Sequence, residues 1–209
     1  AKLIFQIGNA WNAPAEIDNI LCSTKPFATN KNVVFYHQEI DLNVFRYEPP
    51  KVHNIINSYI QLMQKPNLMK DVANLVGWES TTYGAGMEKN LYTHEEVAAA
   101  QRDSAFTWQY KPRGDGFGHS IYSTYASGRP ALIWKNHYDN CGANELFEDG
   151  VTCIDTSIRS PQDVAKELRK YSTPEEHTKI CETAHNRFKQ VVNYDAEFEL
   201  IKEFLQRLK

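Results

Sequence analysis

Lys111-Pro112-Arg113-Gly114-Asp115-Gly116-Phe117-Gly118-His119-Ser120 is the stretch on which the reading of this chain turns. Residues 105–110, just before it, are rich in aromatic and β-branched side chains and read as a buried strand. Residues 120–127 read as a helix and residues 131–134 as the next strand. A glycine-rich turn between a strand and a helix lies at the carboxyl edge of a parallel sheet, where open α/β folds take their ligands. Glycines let the backbone approach a phosphate closely, and the first amides of a helix have no intrahelical acceptor. Those amides and the positive end of the helix dipole suit a diphosphate, with Lys111 and Arg113 able to add charge-assisted hydrogen bonds. A tight structural turn is the alternative that such a loop leaves open when taken alone.

Working outward, the same alternation extends in both directions. Residues 3–7 and 33–36 read as short buried strands, and residues 17–27 as either a helix or a second strand. Glu48-Pro49-Pro50 can neither continue a helix nor sit in a central strand, so it reads as a boundary or hinge. Residues 52–60 read as a strand, residues 67–76 as a helix with Leu68, Val72 and Leu75 on one side, and residues 81–83 as a strand. Thr93-His94-Glu95-Glu96 is a capping-box pattern opening the helical run 97–102. Downstream, Ser160-Pro161 and Thr173-Pro174 each put a capping residue before proline at the first helical position. Ile180, Ala184, Phe188 and Val191 then form one apolar stripe, and Ile201, Phe204, Leu205 and Leu208 another. The expected class is α/β: a Rossmann-like parallel sheet with helices on both faces.

Composition narrows the function classes. A net charge of -3 gives no global reason to expect nucleic acid or an anionic membrane as partner, so any anion site must be local. Cys22, Cys141, Cys153 and Cys181 form no paired motif, and His137 with Cys141 and Cys153 lacks zinc-site spacing. No Asn-x-Ser/Thr sequon, Asp-x-Asp motif or long apolar run is present, which leads us to expect a cytoplasmic protein with no transmembrane segment, bound metal or cofactor. The chain starts at Ala1 and runs directly into a strand, as a fragment of a longer protein would.

Order and spacing then identify a resemblance. Asp115-Gly116-Phe117-Gly118, the helix ending in Ala126-Ser127-Gly128-Arg129-Pro130 and the strand from Ala131 resemble the donor-site core of GT-B glycosyltransferases. Asn144-Glu145-Leu146-Phe147-Glu148-Asp149-Gly150-Val151 is similar to that family's Glu-containing segment before the last strand. Asp41-Leu42-Asn43-Val44-Phe45 looks like the step that closes its N-terminal domain. The resemblance implies the C-terminal half of a GT-B fold. Residues 1–50 would be the tail of an N-terminal domain or an interdomain segment, and residues 51–209 the nucleotide-sugar-binding domain with its C-terminal helices. It also implies an N-terminal domain that supplies the acceptor pocket, and often a catalytic base, of which this chain has only the tail.

The implied donor-binding set is Lys111, Arg113, Asp115, Gly116, Phe117, Gly118, His119, Ser120, Ser123 and Glu145, with His119 also a candidate to donate to the departing diphosphate. The resemblance breaks at two positions. Where many relatives carry two glutamates eight positions apart, this chain has Asp115 and Ser123. The second glutamate usually holds the ribose hydroxyls, so we expect Ser123 to face the ribose. His37 and Glu39, at a strand end near the hinge, are further polar candidates. The expected activity is transfer of a sugar from a nucleoside diphosphate sugar to an acceptor the sequence does not identify. Two alternatives are a non-catalytic nucleotide-binding module and a dinucleotide-binding oxidoreductase. The spacing at Gly114, Gly116 and Gly118 departs from the G-x-G-x-x-G that the latter requires.

Overall fold

The computed structural model describes residues 3–7, 14–23, 32–59, 66–84, 86–111 and 118–208. The first sheet runs β1 (Ile4–Ile7), β2 (Asn19–Cys22) and β3 (Asn32–Phe35), all parallel and in sequence order. The ambiguous segment 17–27 therefore carries a strand. Ile20 and Cys22 bury on one side with Ile7 while Asn19 and Leu21 stay half-exposed, which is the period of two that a strand imposes.

Beyond the Pro49-Pro50 hinge come β4 (Ile55–Ser58), α1 (Pro66–Val76), β5 (Glu79–Thr82), α2 (His94–Arg102), β6 (Phe106–Gln109), α3 (His119–Ala126), β7 (Ala131–Ile133), β8 (Cys153–Asp155), α4 (Pro161–Arg169), α5 (Pro174–Val191) and α6 (Tyr194–Arg207). The five strands form a second all-parallel sheet in the order β5-β4-β6-β7-β8. Both faces are covered. Ala131 and Ile133 point toward a core built with α2, α3 and α5, whereas Leu132 between them points toward one built with α1 and α4. Cys153 and Ile154 divide in the same way. This is the doubly covered parallel sheet that the strand-helix alternation predicts.

Local signals hold where they are local. Thr93 accepts from the Glu96 amide at 3.1 Å while Glu96 takes the Thr93 amide at 3.2 Å, and Ser160 and Thr173 cap α4 and α5. Two apolar stripes are shifted. In α1 the buried residues are Met69, Val72 and Ala73, and Leu75 is 40% exposed, because the helix packs against β4, β5 and α4 along a line one residue round from the expected one. In α6 Phe204 is buried but Leu205 is not. That helix leaves the second sheet and returns to β3, where the Tyr194 hydroxyl donates to Gln38 O at 2.7 Å and accepts from the Ile40 amide at 3.1 Å. All four cysteines are buried, and none is in a disulfide.

The turn between α3 and β7 fixes the hinge. Gly128 has φ +72°, its amide donates to Tyr125 O and the Arg129 amide donates to Thr124 O, a Schellman closure of α3. A methyl group on Gly128 would stand 2.2 Å from Cδ2 of Tyr47, just before the hinge, so glycine is required for both backbone and space. Arg129 is 1% exposed and has no carboxylate partner among the described residues. Its guanidinium instead donates to Arg102 O at 2.9 Å, Ser127 O and Glu48 O at 3.1 Å, and Gly128 O at 3.3 Å. We expect Gly128→Ala to cost about 3 kcal/mol, combining left-handed strain with overpacking. In a Tyr47→Ala background the penalty should fall to about 1 kcal/mol, the backbone term alone. Urea unfolding of the four proteins of this cycle measures both; equal penalties in the two backgrounds would contradict the steric contact.

His177 closes the other side of the hinge. Its Nε2–H donates to Ala105 O at 2.9 Å, which leaves Nδ1 to accept from His53 Nδ1–H at 2.8 Å. Burial, with His53 alongside, lowers its pKa to about 4 against the opposing hydrogen bond to Ala105. In the unfolded chain the ring binds a proton below about pH 6.5, and in the folded one only below about pH 4. The unfolded state therefore holds more protons in that window, so stability falls as pH drops from about 6.5 to 4, by roughly 3 kcal/mol for this group. NMR of the imidazole C–H resonances should show His177 neutral at pH 5; a ring titrating near 6.5 would refute the assignment.

Candidate functional site

α3 begins where β6 has left the carboxyl edge of the second sheet, so its first turn opens at that edge. Its N-cap is Gly118, which offers no side-chain acceptor, whereas α2, α4, α5 and α6 are capped by Thr93, Ser160, Thr173 and Asn193. Helix-start donors left without a side-chain cap, at the edge of a parallel sheet, make a place for an anion. Arg113, Asp115, Gly116 and Phe117, with Pro112 and Gly114, lie outside the described residues. Lys111 flanks the turn, and its carbonyl accepts from His137 Nδ1–H at 3.1 Å, tying the exit of β6 to the loop after β7. Ser120 Oγ donates to Gln109 Oε1 at 3.4 Å, and Gln109 in turn donates to the Tyr138 hydroxyl.

His119 packs edge-on against Phe45, with ring centroids 5.4 Å apart, and its centroid is 5.0 Å from that of His94. Burial, then the neighbouring His94, lowers its pKa, so the ring is neutral at pH 7 and brings one N–H rather than a positive charge to the turn. Positive potential at the described part of the turn therefore comes from the helix-start amides, with Lys111 at its flank.

Ser123 is a correction. It does not face a ligand. The residue is fully buried, its Oγ accepts from Gln101 Nε2 at 2.8 Å and donates to Ser120 O at 3.3 Å. Gln101 also donates to Thr124 Oγ1 and accepts from Ser127 Oγ, and Thr124 donates to Thr107 on β6. Ser123 thus belongs to a polar seam joining α2, α3 and β6. A ribose has no access to it. Glu145, by contrast, is exposed, on a 3-10 turn (Gly142–Leu146) that follows β7, and Arg187 donates to its carbonyl.

The ends of β2 and β3 face this turn. The Gly142 amide donates to Ser23 O at 2.8 Å, the His37 ring is 5.8 Å from that of Tyr122 on α3, and His37 Cδ2 lies 3.7 Å from where a Gly142 Cβ would be. His37 Nδ1–H donates to Glu197 Oε1 at 2.6 Å, and the His37 backbone amide donates to Glu197 Oε2 at 2.9 Å. Burial raises the Glu197 pKa, but the His37 hydrogen bonds and charge outweigh it and leave the carboxyl below its usual value. The His–Glu pair joins positions 160 apart, and only the strand-end position of His37 hinted at it.

Two facing parallel α/β sheets, the second carrying an uncapped helix start toward the first and the last helix returning to the first, make up the GT-B glycosyltransferase fold. No protein-family model matches the sequence, and no curated protein matches it either. Solved structures do. HepE of Anabaena, crystallised with UDP and glucose, is similar over 91% of this chain and 63% of its own, with a TM-score of 0.64 at 15% identity. A glycosyltransferase of Rickettsia africae is similar over 97% of this chain and 70% of its own (TM-score 0.68, 12% identity). TarM is similar over 96% and 49% respectively (TM-score 0.71, 12% identity). The chain therefore spans less than two thirds of the length of HepE. Among the described residues no helix is long and apolar enough to cross a membrane.

The burial of Ser123 reverses the effect expected of a glutamate there. Ser123→Glu should destabilise the fold by about 3 kcal/mol, since it forces a carboxylate into a closed polar seam. Thermal unfolding will register this. Unchanged stability together with tighter UDP binding would restore the ribose-facing assignment.

Proposed function

We propose that this chain provides the donor half of a glycosyltransferase, moving a sugar from a nucleoside diphosphate sugar to an acceptor hydroxyl. One observation carries the reading: the uncapped start of α3 opens at the carboxyl edge of a parallel sheet that faces a second one. The similarity to HepE with UDP and glucose supports it. The diphosphate would rest on the amides of Gly118, His119 and Ser120, with Gly116 and Phe117 in the approach. Lys111 and Arg113 would supply charge, and neutral His119 a hydrogen bond to a leaving oxygen. Ribose and sugar hydroxyls would be accepted by Asp115 and Glu145, the two carboxylates of the set. Catalysis on this reading is alignment of the donor and stabilisation of charge that builds on the departing diphosphate. It asks nothing of a metal or cofactor.

Calorimetry with UDP, GDP and ADP against their monophosphates tests it. The second phosphate should gain about tenfold in affinity for the preferred base, and Lys111→Ala and Arg113→Ala should each remove most of that gain while leaving the monophosphate nearly unchanged. Equal binding of di- and monophosphates, or none, would overturn the reading.

A further inference from the structure

A cavity opens beside the His37–Glu197 pair. It has a volume of about 200 Å³ between the end of β3 and the start of α6, bordered by Tyr36, His37, Glu39, Tyr194, Glu197 and Phe198. Pockets for drug-sized ligands run to roughly 300–1,000 Å³, so this one has room for a single small ring. Its border combines two kinds of surface. Tyr36, Tyr194 and Phe198 offer ring faces, and Phe198 is 63% exposed at the mouth although it is one of the largest apolar side chains. Glu39, Glu197 and His37 offer acceptors.

The acceptors are set for hydroxyls. With Nδ1 committed to Glu197, His37 has Nε2 left to meet a hydroxyl, and no partner for that nitrogen occurs among the described residues. Glu39 is exposed; its carbonyl accepts from Gln38 Nε2 at 3.0 Å, and its carboxylate has no hydrogen bond or ion pair among the described residues. Glu197 accepts from the His37 ring and amide and from the Asn193 backbone, which leaves acceptor capacity for one further hydroxyl. Among the described residues no lysine or arginine borders the cavity, so there phosphate and carboxylate ligands meet the like charge of Glu39 and Glu197. A pyranose answers both surfaces, its C–H face against an aromatic ring and its hydroxyls donating to carboxylate and imidazole.

We infer that this cavity binds the acceptor of the proposed transfer and that the acceptor is a neutral sugar residue, held by Glu39, Glu197 and His37 and stacked on Phe198. The assignment rests on the donor reading for its role but not for the binding itself. His37 stands between the cavity and the Tyr122–Gly142 wall, so a hydroxyl meeting its Nε2 would point toward the donor side.

Amide-detected NMR titration with methyl α-D-glucopyranoside, methyl α-D-galactopyranoside and methyl α-D-mannopyranoside, with and without saturating UDP, tests the site. At least one glycoside should shift the resonances of His37, Glu39 and Phe198. Phe198→Ala, an exposed position that should not disturb folding, and Glu39→Gln should each weaken that glycoside by about tenfold while UDP affinity stays unchanged. If UDP binds and no glycoside does, the cavity assignment fails and the donor reading stands. If a glycoside binds in this way and UDP does not, the sugar site stands and the donor reading fails. Ethanolamine binding here in place of every glycoside would also overturn the assignment, since it would make the carboxylates a cation site.

Discussion

The guanidinium of Arg129 is the interaction on which the rest of this structure depends. Among the described residues this cation, at 1% exposure, has no carboxylate beside it and no partner for its buried Nε, which ought to be costly. What compensates is where its other nitrogens end. Arg102 O closes α2, Ser127 O and Gly128 O follow the end of α3, and Glu48 O belongs to the hinge. Helix carboxyl ends carry unsatisfied carbonyls and the negative pole of the dipole, so three sets of orphan acceptors meet one planar five-donor fork. Burial lowers the pKa of Arg129, but a guanidinium begins so far above neutrality that the charge persists. Lysine could not span these directions.

Pinning the carboxyl ends of α2 and α3 at the amino edge of the second sheet has a consequence at the other end. The start of α3 is then held at the carboxyl edge, opposite the end of β3. Ser23, His37 and Phe45, all from before the hinge, reach Gly142, Tyr122 and His119 respectively. The returning α6 completes the clasp through Tyr194 and Glu197. The unit after the hinge is thus not self-contained, because its last helix packs on the sheet that precedes the hinge.

How much of this was legible follows from the range of each signal. The capping boxes and Ser-Pro and Thr-Pro starts were readable because a cap involves residues three apart. The parallel sheet was readable from apolar runs such as residues 131–133, in which neither face is polar. The orientation of Ser123 was not. In α3 every residue from Ile121 to Ala126 is buried, so no polar stripe marks which side meets solvent, and a serine there fits a seam as well as a site. Resemblance supplied the wrong face because it carried over a glutamate's position without its chemistry. The His37–Glu197 pair was beyond reach for a different reason: it joins a strand end to a helix that returns from the far end of the chain.

Charge is divided between the two walls of the cleft. On the proposed donor wall, burial keeps His119 neutral, and potential comes from the helix-start amides with Lys111 at their flank. Across the cleft, Glu39 and Glu197 make the wall near α6 acidic, and Glu145 extends acidity along the turn after β7. On the proposed reading a nucleoside diphosphate would be drawn to one wall and repelled by the other, while a neutral polyol would be penalised by neither. The overall charge of -3 conceals this division, because charges farther apart than about 8–10 Å are largely screened from one another at physiological salt. Discrimination between the two proposed substrates then follows from local sign rather than from shape, and it places the anion on the only wall whose helix start lacks a side-chain cap among the helices whose caps are described.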